Sequence, residues 1–518
     1  MDSQFLLLLI SFCLLSIFTL LRFKNNKKKK RSSTSHDHFK PFPVLGHLPQ
    51  FLKNRRRFHD WMADILAASP TNTLVFRRPG NIRGVVTANP ANVEHILKSN
   101  FDNFPKGPRV RSILFDFFGN GMVNTDGYLW KVQRRTYNIE FNTRSFRNLV
   151  VQTVQFETAA RLLPLLKKCA QAGQVVDMQD VLERYAFDNI CKVAFDEDPA
   201  CLADDATGDK LSGFADAFRD AVELSTGRFR YVVPGFWKIK KLFGVGSERK
   251  LKESISTVHD FALQIIRSRL KENSEISAKA RADDLLSRCI ALAEEHSEEF
   301  LGDTVISSIL AGRETTSSAL TWFFWLLSSR PNVQQRILEE IASVRARTEN
   351  RDKETFEFNE LREMQFLHAA LTESMRLYPP VPTNVTWCKE DDVLPDGTEV
   401  KRGWFVSYNS YAMGRMEAVW GKDCKEYKPE RWLDDDGMFR PESPFKFLAF
   451  HGGPRMCLGK EMAYIQMKSI AACVLEKFVV EVVEKDKHPE RTLSLTLRMR
   501  GGLPVRVRNR PASNTDAN

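Results

Sequence analysis

The stretch Phe450-His451-Gly452-Gly453-Pro454-Arg455-Met456-Cys457-Leu458-Gly459 constrains this chain more than any other. It sets one thiol in a glycine-rich loop, with an aromatic residue at the start, an arginine two positions before the sulfur, and a helix-forming run from Lys460 to Ile470 behind it. A thiolate needs compensation to stay ionised, and backbone N–H groups plus the N-terminus of a following helix supply it. The glycines let the backbone turn tightly around the sulfur and approach a flat ligand. The bland alternative is a buried cysteine in an ordinary loop. Fixed Phe, Gly, Arg, Cys and Gly positions at this spacing favour the ligand reading.

The other cysteines give this thiol no partner. The chain has nine, an odd number, with no Cys-x-x-Cys pair, so neither a disulfide framework nor a zinc site is supported. The net charge of +11 is uneven: Arg22, Lys24, Lys27, Lys28, Lys29, Lys30 and Arg31 supply seven positive charges in one block. That block follows Phe5 to Leu21, an uncharged run of 17 residues, at the short end of a membrane-spanning helix. A cleaved signal peptide carries positive charge before its apolar run, whereas here Asp2 precedes it and the lysines follow. The positive-inside rule then puts the block and everything after it on the cytoplasmic side. The basic excess reads as a patch beside anionic lipid, not as a nucleic-acid surface. The expected organisation is a short lumenal N-terminus (1–4), a single anchor (5–21), a basic and proline-containing linker (22–49), one globular body (50–510) and a polar tail (511–518).

Within the body, Phe58 to Ser69 patterns as an amphipathic helix. Thr73–Arg78 and Arg83–Thr87 pattern as strands about a Pro79-Gly80-Asn81 turn. Residues 101–127 read as an irregular, unusually apolar segment, either packed into the core or forming the wall of a greasy pocket. Tyr128–Phe141 reads as a helix that puts Trp130 and Arg134 on one face, both donors suited to an anionic group. Ser145–Glu299 is mostly helical in pattern, with polar breaks near 196–209 and 272–284.

A long helix is expected from Asp303 to Leu327, with Ala311-Gly312-Arg313-Glu314-Thr315-Thr316 inside it. Small Ala311 and Gly312 would let a flat ligand approach. Glu314 and Thr315 read either as one wet face or as an acid–alcohol pair for proton delivery, with a local distortion of the helix admitting water. Glu373 and Arg376, at i and i+3, can pair on another helix, and Pro429-Glu430-Arg431-Trp432 adds a second arginine before the cysteine loop.

Taken in order, the anchor, Trp130-x-x-x-Arg134, Ala311 to Thr316, Glu373-x-x-Arg376 and the Cys457 loop closely resemble a eukaryotic microsomal cytochrome P-450 over essentially the whole chain after Pro41. The finer resemblance is to plant fatty-acid hydroxylases of clan 86, family 94. It is carried by Asn103-Phe104-Pro105-Lys106-Gly107, Phe187-Asp188-Asn189-Ile190-Cys191, Asp392 to Thr398, Tyr411 to Glu417 and Arg498 to Pro504. The resemblance implies a mainly α fold with small β-sheets, the cytochrome P-450 fold, preceded by one transmembrane helix in the endoplasmic reticulum membrane, and it implies haem b. Cys457 then resembles the axial iron ligand, and Trp130, Arg134 and Arg455 the propionate partners. Phe450, Gly453, Gly459 and Ala311 belong to the haem pocket, Glu314 and Thr315 form the proton-delivery pair, and Glu373, Arg376 and Arg431 form a structural triad. Ile113, Phe117, Phe118, Val381, Asn384, Val385 and Leu497 are the expected substrate-pocket residues. The chain departs from the pattern at its proline hinge, which lacks the usual Pro-Pro-Gly-Pro start, at Thr383-Asn384-Val385-Thr386 and at Thr136-Tyr137-Asn138-Ile139.

The implied reaction is hydroxylation of an unactivated C–H in a lipophilic substrate, using O₂ and electrons from NADPH through a membrane-bound reductase. Lys131, Arg135 and Lys460 are candidates for the reductase-docking face, or simply a solvated charged rim. Terminal (ω) or near-terminal hydroxylation of a fatty acid is the leading substrate reading. The alternative is terminal side-chain hydroxylation of a sterol (a steroid 26-hydroxylation) or of a hormone conjugate such as jasmonoyl-isoleucine. A peroxide-rearranging isomerase or dehydratase tends to lose the acid–threonine pair, which is intact here. Nothing in the sequence favours a non-catalytic haem-binding membrane protein.

Overall fold

The computed structural model describes residues 39–141, 143–203, 209–275, 285–291, 298–348 and 353–511. The expected anchor at 5–21 and the whole of the basic block at 22–31 lie outside these residues. Among the described residues no helix is long and apolar enough to cross a membrane.

The body is mainly helical, with three small sheets among the described residues. Thr73–Arg78 pairs antiparallel with Ile82–Thr87, which runs parallel to Phe405–Tyr408, which in turn pairs antiparallel with Asn384–Trp387. A second sheet orders Val175–Asp177, Pro504–Asn509 and Phe478–Val482, and a two-stranded one joins Asp392–Val393 to Glu399–Val400. The segment before the body docks onto the first sheet. The His47 N–H donates to the Arg77 carbonyl at 2.8 Å, and the Arg77 N–H returns to His47 Nδ1 at 3.0 Å.

The long helix runs from Glu298–Ile309 through a π-helical turn, Leu310–Glu314, into Thr315–Ser328. Nearly every residue from Leu301 to Leu327 is buried, the mark of a helix at the centre of a body and not on its surface. The cysteine helix, Lys460–Lys477, is likewise buried along most of its length and packs against Arg144–Glu157, Pro331–Arg347, Gln365–Leu377 and Thr315–Ser328.

One expectation is corrected. Much of 101–127 is not irregular: Gly107–Phe118 is an α-helix. Pro108 stands in its first turn and Gly119, at φ 46°, ends it. Val110, Ile113, Leu114, Phe117 and Phe118 recur at helical spacing and are all buried. The proline and glycines that suggested a loop are the helix's end signals. The turn after it is held to the long helix, where the Asn120 N–H donates to Asp303 Oδ2 at 2.7 Å.

Burial pushes the Asp303 carboxyl up to about 6, and Glu299 adds to this against the Asn120 hydrogen bond. The folded state therefore holds this proton at pH values where the unfolded chain, with an ordinary aspartate near about 3.9, has released it. Stability falls as pH rises from about 4 to about 6. Asp303→Asn removes that slope while keeping an acceptor. Unfolding free energies from urea titrations across this range should diverge between the two proteins by about 2–3 kcal/mol, and parallel profiles would refute the assignment.

Candidate active site

The cysteine loop is closed by its own backbone. The Cys457 N–H donates to the Phe450 carbonyl at 2.8 Å, and the Met456 N–H to the Gly453 carbonyl at 3.0 Å around the single turn Gly453–Arg455. Gly453 sits at φ 64°, and a Cβ there would lie 2.0 Å from the Leu97 carbonyl oxygen. Only glycine lets the loop press this closely on its neighbour. Gly459 caps the cysteine helix and directs its N–H at the Cys457 sulfur. Cys457 is exposed, yet protein surrounds it closely enough for the loss of bulk water to push its thiol pKa up. The Gly459 N–H, Arg134 and Lys460 oppose that rise. The Phe450 ring packs 5.2 Å from Tyr464.

The helix Gly127–Phe141 presents Trp130, Arg134, Tyr137 and Phe141 at successive turns of one face. The Arg455 guanidinium lies 4.5 Å from the Trp130 ring centre. It donates to Asp126 Oδ1 at 2.7 Å and to the Thr125 carbonyl at 3.1 Å. Tyr137 Oη meets Ser308 Oγ at 3.3 Å, tying this helix to the long one. Three residues join the cluster that the sequence reading did not assign to it. Lys106 is lowered to about 8 by burial and then by Arg455, with Asp126 opposing. Asp126 also accepts the backbone N–H groups of Lys106 and Gly107 at 2.9 and 3.2 Å. His451, lowered to about 4 chiefly by burial and then by Lys106, lies with Nε2 2.5 Å from Tyr408 Oη. His451 stands inside the cysteine-loop stretch, whereas Lys106 and Asp126 carry no local motif. Lys106 stands inside a segment quoted for the family resemblance, which is the only signal that could have found it.

The π-helical turn lies where the sequence called for a helix distortion. Ala311 is exposed in an otherwise buried helix, and Thr315 Oγ1 donates to the Ala311 carbonyl at 2.6 Å. Gly312 serves a different end from the one expected: a Cβ there would lie 2.5 Å from Ile190, so its smallness seats the helix Met178–Phe195. Glu314 is held in a buried ion network. Arg313 Nη1 donates to Glu314 Oε1 at 2.9 Å, and Arg313 Nη2 to Glu183 Oε2 at 3.2 Å. Arg498 Nε donates to Glu183 Oε1 at 2.9 Å, and Thr496 Oγ1 to Glu314 Oε2 at 3.2 Å. Glu183, Thr496 and Arg498 carry no local signal for this network, because the partners they meet in it are distant in the chain.

Glu373 and Arg376 are fully buried and make a two-point pair at 2.7 Å. Arg431 Nε lies 3.5 Å from Glu373 Oε1. Lys131, Arg135 and Lys460 are exposed.

A cavity of about 1230 Å³ opens among Leu48, Phe51, Met62, Ile113, Val385 and Leu495. Of the expected pocket residues, only Ile113 and Val385 line it. Phe117 and Phe118 are fully buried, Phe117 with its ring 5.4 Å from Phe218. Leu497 is fully buried, with its carbonyl accepting from Ser318 Oγ and Trp322 Nε1 at 2.9 and 2.7 Å. Val381 and Asn384 are half-buried and lie off the cavity wall. Thr383, in the run Thr383-Asn384-Val385-Thr386 where the chain departs from the family pattern, also lines it.

These residues fit a haem. An accessible thiol aimed at by a backbone N–H and an accessible alanine in a buried helix suit an axial ligand and a flat macrocycle. Among the described residues, Lys106, Arg134 and Arg455 have Asp126 as the one carboxylate bonded among them, which leaves capacity for added negative charge.

A family model described as Cytochrome P450 matches residues 37–502. Among curated proteins, Cytochrome P450 CYP94D108 of Paris polyphylla is 51% identical over 465 residues, 90% of this chain and 91% of that protein. Cytochrome P450 94A1 of Vicia sativa is 44% identical over 480 residues, 91% and 90% of the two chains. Cytochrome P450 94B3 of Arabidopsis thaliana is 42% identical over 510 residues, 97% and 98%.

Proposed function

The chain belongs to the cytochrome P450 family, a family of monooxygenase oxidoreductases, and on that premise we propose that it hydroxylates the terminal or near-terminal carbon of a fatty acid. The observation that carries the substrate reading is the cavity of about 1230 Å³ with an apolar wall and several arginines, a shape and chemistry suited to an acidic amphiphile. A second reading, an oxygenated substrate such as a sterol or a hormone conjugate, is favoured by one feature of the same wall. Thr383 Oγ1, Asn409 Nδ2 and Ser494 Oγ are buried there without hydrogen-bond partners.

Haem b, held through Cys457, supplies the one-electron and O₂ chemistry. The protein's part is to hold and tune. Gly459 steadies the sulfur by its N–H, while Arg134, Arg455, Lys106 and Trp130 would hold the propionate groups. Ala311 gives the ring clearance. Thr315 Oγ1, which donates to the Ala311 carbonyl at 2.6 Å, is the hydroxyl that would pass a proton inward. Glu314 is fixed by Arg313 and Thr496, so its carboxylate is an oriented member of the relay and not a mobile one. Electrons reach the site from NADPH through a reductase that meets the exposed face of Lys131, Arg135 and Lys460. The 5–21 segment anchors the enzyme in the endoplasmic reticulum membrane with its body in the cytosol.

The test is turnover in microsomes with reductase and NADPH, against fatty acids of several lengths, sterols and acyl–amino-acid conjugates. Hydroxylation of a fatty acid at or next to its terminal carbon is the expected result. Turnover of sterols or conjugates with none of any fatty acid would replace the first reading with the second.

A further inference from the structure

The cavity wall carries more arginine than the protein itself neutralises. Some of these charges are accounted for. Arg228 is tied to Asp116 and Glu248, both at 2.6 Å, and Arg491 to Asp60 at 2.8 Å. Arg500 lies 3.8 Å from Glu490. Arg55 and Arg56 are exposed to water, and Arg230 lies in the field of Glu223 and donates to the Leu493 carbonyl at 2.5 Å. Arg78 and Arg109 differ from all of these. Among the described residues neither has a carboxylate partner. Arg78 donates only to backbone carbonyls, Nη1 to Phe229 at 3.3 Å and Nη2 to Tyr231 at 3.0 Å. Its Nε is buried with no partner. The Arg109 guanidinium lies 5.3 Å from the Phe405 ring centre. Burial lowers the pKa of both, and the charge of Arg109 lowers that of Arg78 further.

Two guanidiniums in each other's field, partly withdrawn from water and lacking an acid, are costly unless something anionic arrives. They stand on different elements. Arg78 ends the strand Thr73–Arg78, and Arg109 lies in the first turn of the helix Gly107–Phe118. The same helix face brings Ile113 to the cavity wall one turn further on. Ala311, Thr315 and Cys457 lie off this wall.

We propose that Arg78 and Arg109 form a receptor for the carboxylate of an acidic amphiphile, holding its head away from Cys457 so that the far end of the chain meets the reacting centre. The inference deepens the fatty-acid reading and rests on it for the length of the chain, but not for the charge. Arginine suits the task because its planar donors match a carboxylate at two points. Position along the chain is then set by distance from a fixed head, which is how one cavity can favour a terminal carbon over its weaker-bonded internal neighbours.

The test compares the holoenzyme with Arg78→Met and Arg109→Met. Binding of dodecanoate, methyl dodecanoate and dodecanol is read by displacement of a fluorescent fatty-acid probe, and product positions are read by mass spectrometry. Arg109→Met is the cleaner variant, since Arg78 also holds the backbone at Phe229 and Tyr231; Arg78→Lys retains a donor there. Dodecanoate should weaken about ten- to hundredfold in the methionine variants, with the ester and alcohol unchanged and hydroxylation spreading inward from the terminus. Equal weakening of acid and ester, or an unchanged preference for the acid, overturns the receptor and leaves the fatty-acid reading standing. If no long-chain acid binds but an acyl–amino-acid conjugate does, and does so through these arginines, the receptor stands and the fatty-acid reading falls. Wild-type binding of the alcohol or a sterol as tight as that of any acid overturns both.

Discussion

Cys457→Ala should leave a folded protein that shows no reduced carbon-monoxide band of the haem-thiolate type and no monooxygenase turnover. The structure builds a dedicated environment around the thiol. Its own N–H is fixed to Phe450, the Gly459 N–H points at the sulfur, and Arg134 and Lys460 contribute positive potential. Because Cys457 is exposed and fills no part of the packed core, its loss as a contact should change fold stability by no more than about 0.5 kcal/mol. The far-ultraviolet circular dichroism and the apoprotein's urea midpoint should therefore match those of the wild type while the spectrum and the activity disappear. Cys457→His separates ligand identity from haem retention: haem stays, but the band moves away from the thiolate position. A thiolate-type band surviving in Cys457→Ala would remove the central assignment.

The fold class and the order of the site elements were legible in the sequence because each rests on local pattern. The Cys457 loop, the Glu373–Arg376 pair and the interrupted long helix all announce themselves within one or two helical turns. The helix Gly107–Phe118 was missed although its apolar spacing is helical, because end signals and breakers are the same residues. Gly312 was read for a ligand when Ile190 is what requires it. What the sequence withheld is the set of long-range partners. Glu183 and Arg498 meet beside Arg313 and Glu314 from segments far apart in the chain. Lys106, Asp126 and His451 meet around Arg455 and Arg134 in the same way. Charge balance is a property of the assembled cluster, so neither the ion network that fixes Glu314 nor the uncompensated Arg78–Arg109 pair can be read along the chain.

Glu373→Ala should be the most destabilising single substitution of the site, at about 3–5 kcal/mol, because it strands a buried cation. Glu373 receives five donors: Arg376 Nε and Nη2 at 2.7 Å, Trp432 Nε1 at 2.9 Å, the Lys428 N–H at 3.0 Å and Arg431 Nε at 3.5 Å. Arg376 spends its remaining donors on the carbonyls of Gly414, Cys424 and Glu426. Without the carboxylate, a fully buried guanidinium keeps only neutral acceptors, and the Trp432 and Lys428 donors lose theirs. The damage travels toward the cysteine. Trp432 packs against Phe447 at 4.9 Å between ring centres, Phe447 lies 6.5 Å from Phe450, and the Phe450 carbonyl anchors Cys457. Glu373→Ala should thus lose haem on gel filtration as well as unfolding at lower urea. The double variant Glu373→Leu with Arg376→Met should cost less than Glu373→Ala alone, since removing both charges spares the stranded cation. A Glu373→Ala protein within about 1 kcal/mol of wild type, or a double variant worse than the single one, would show that this pair does not carry the loop.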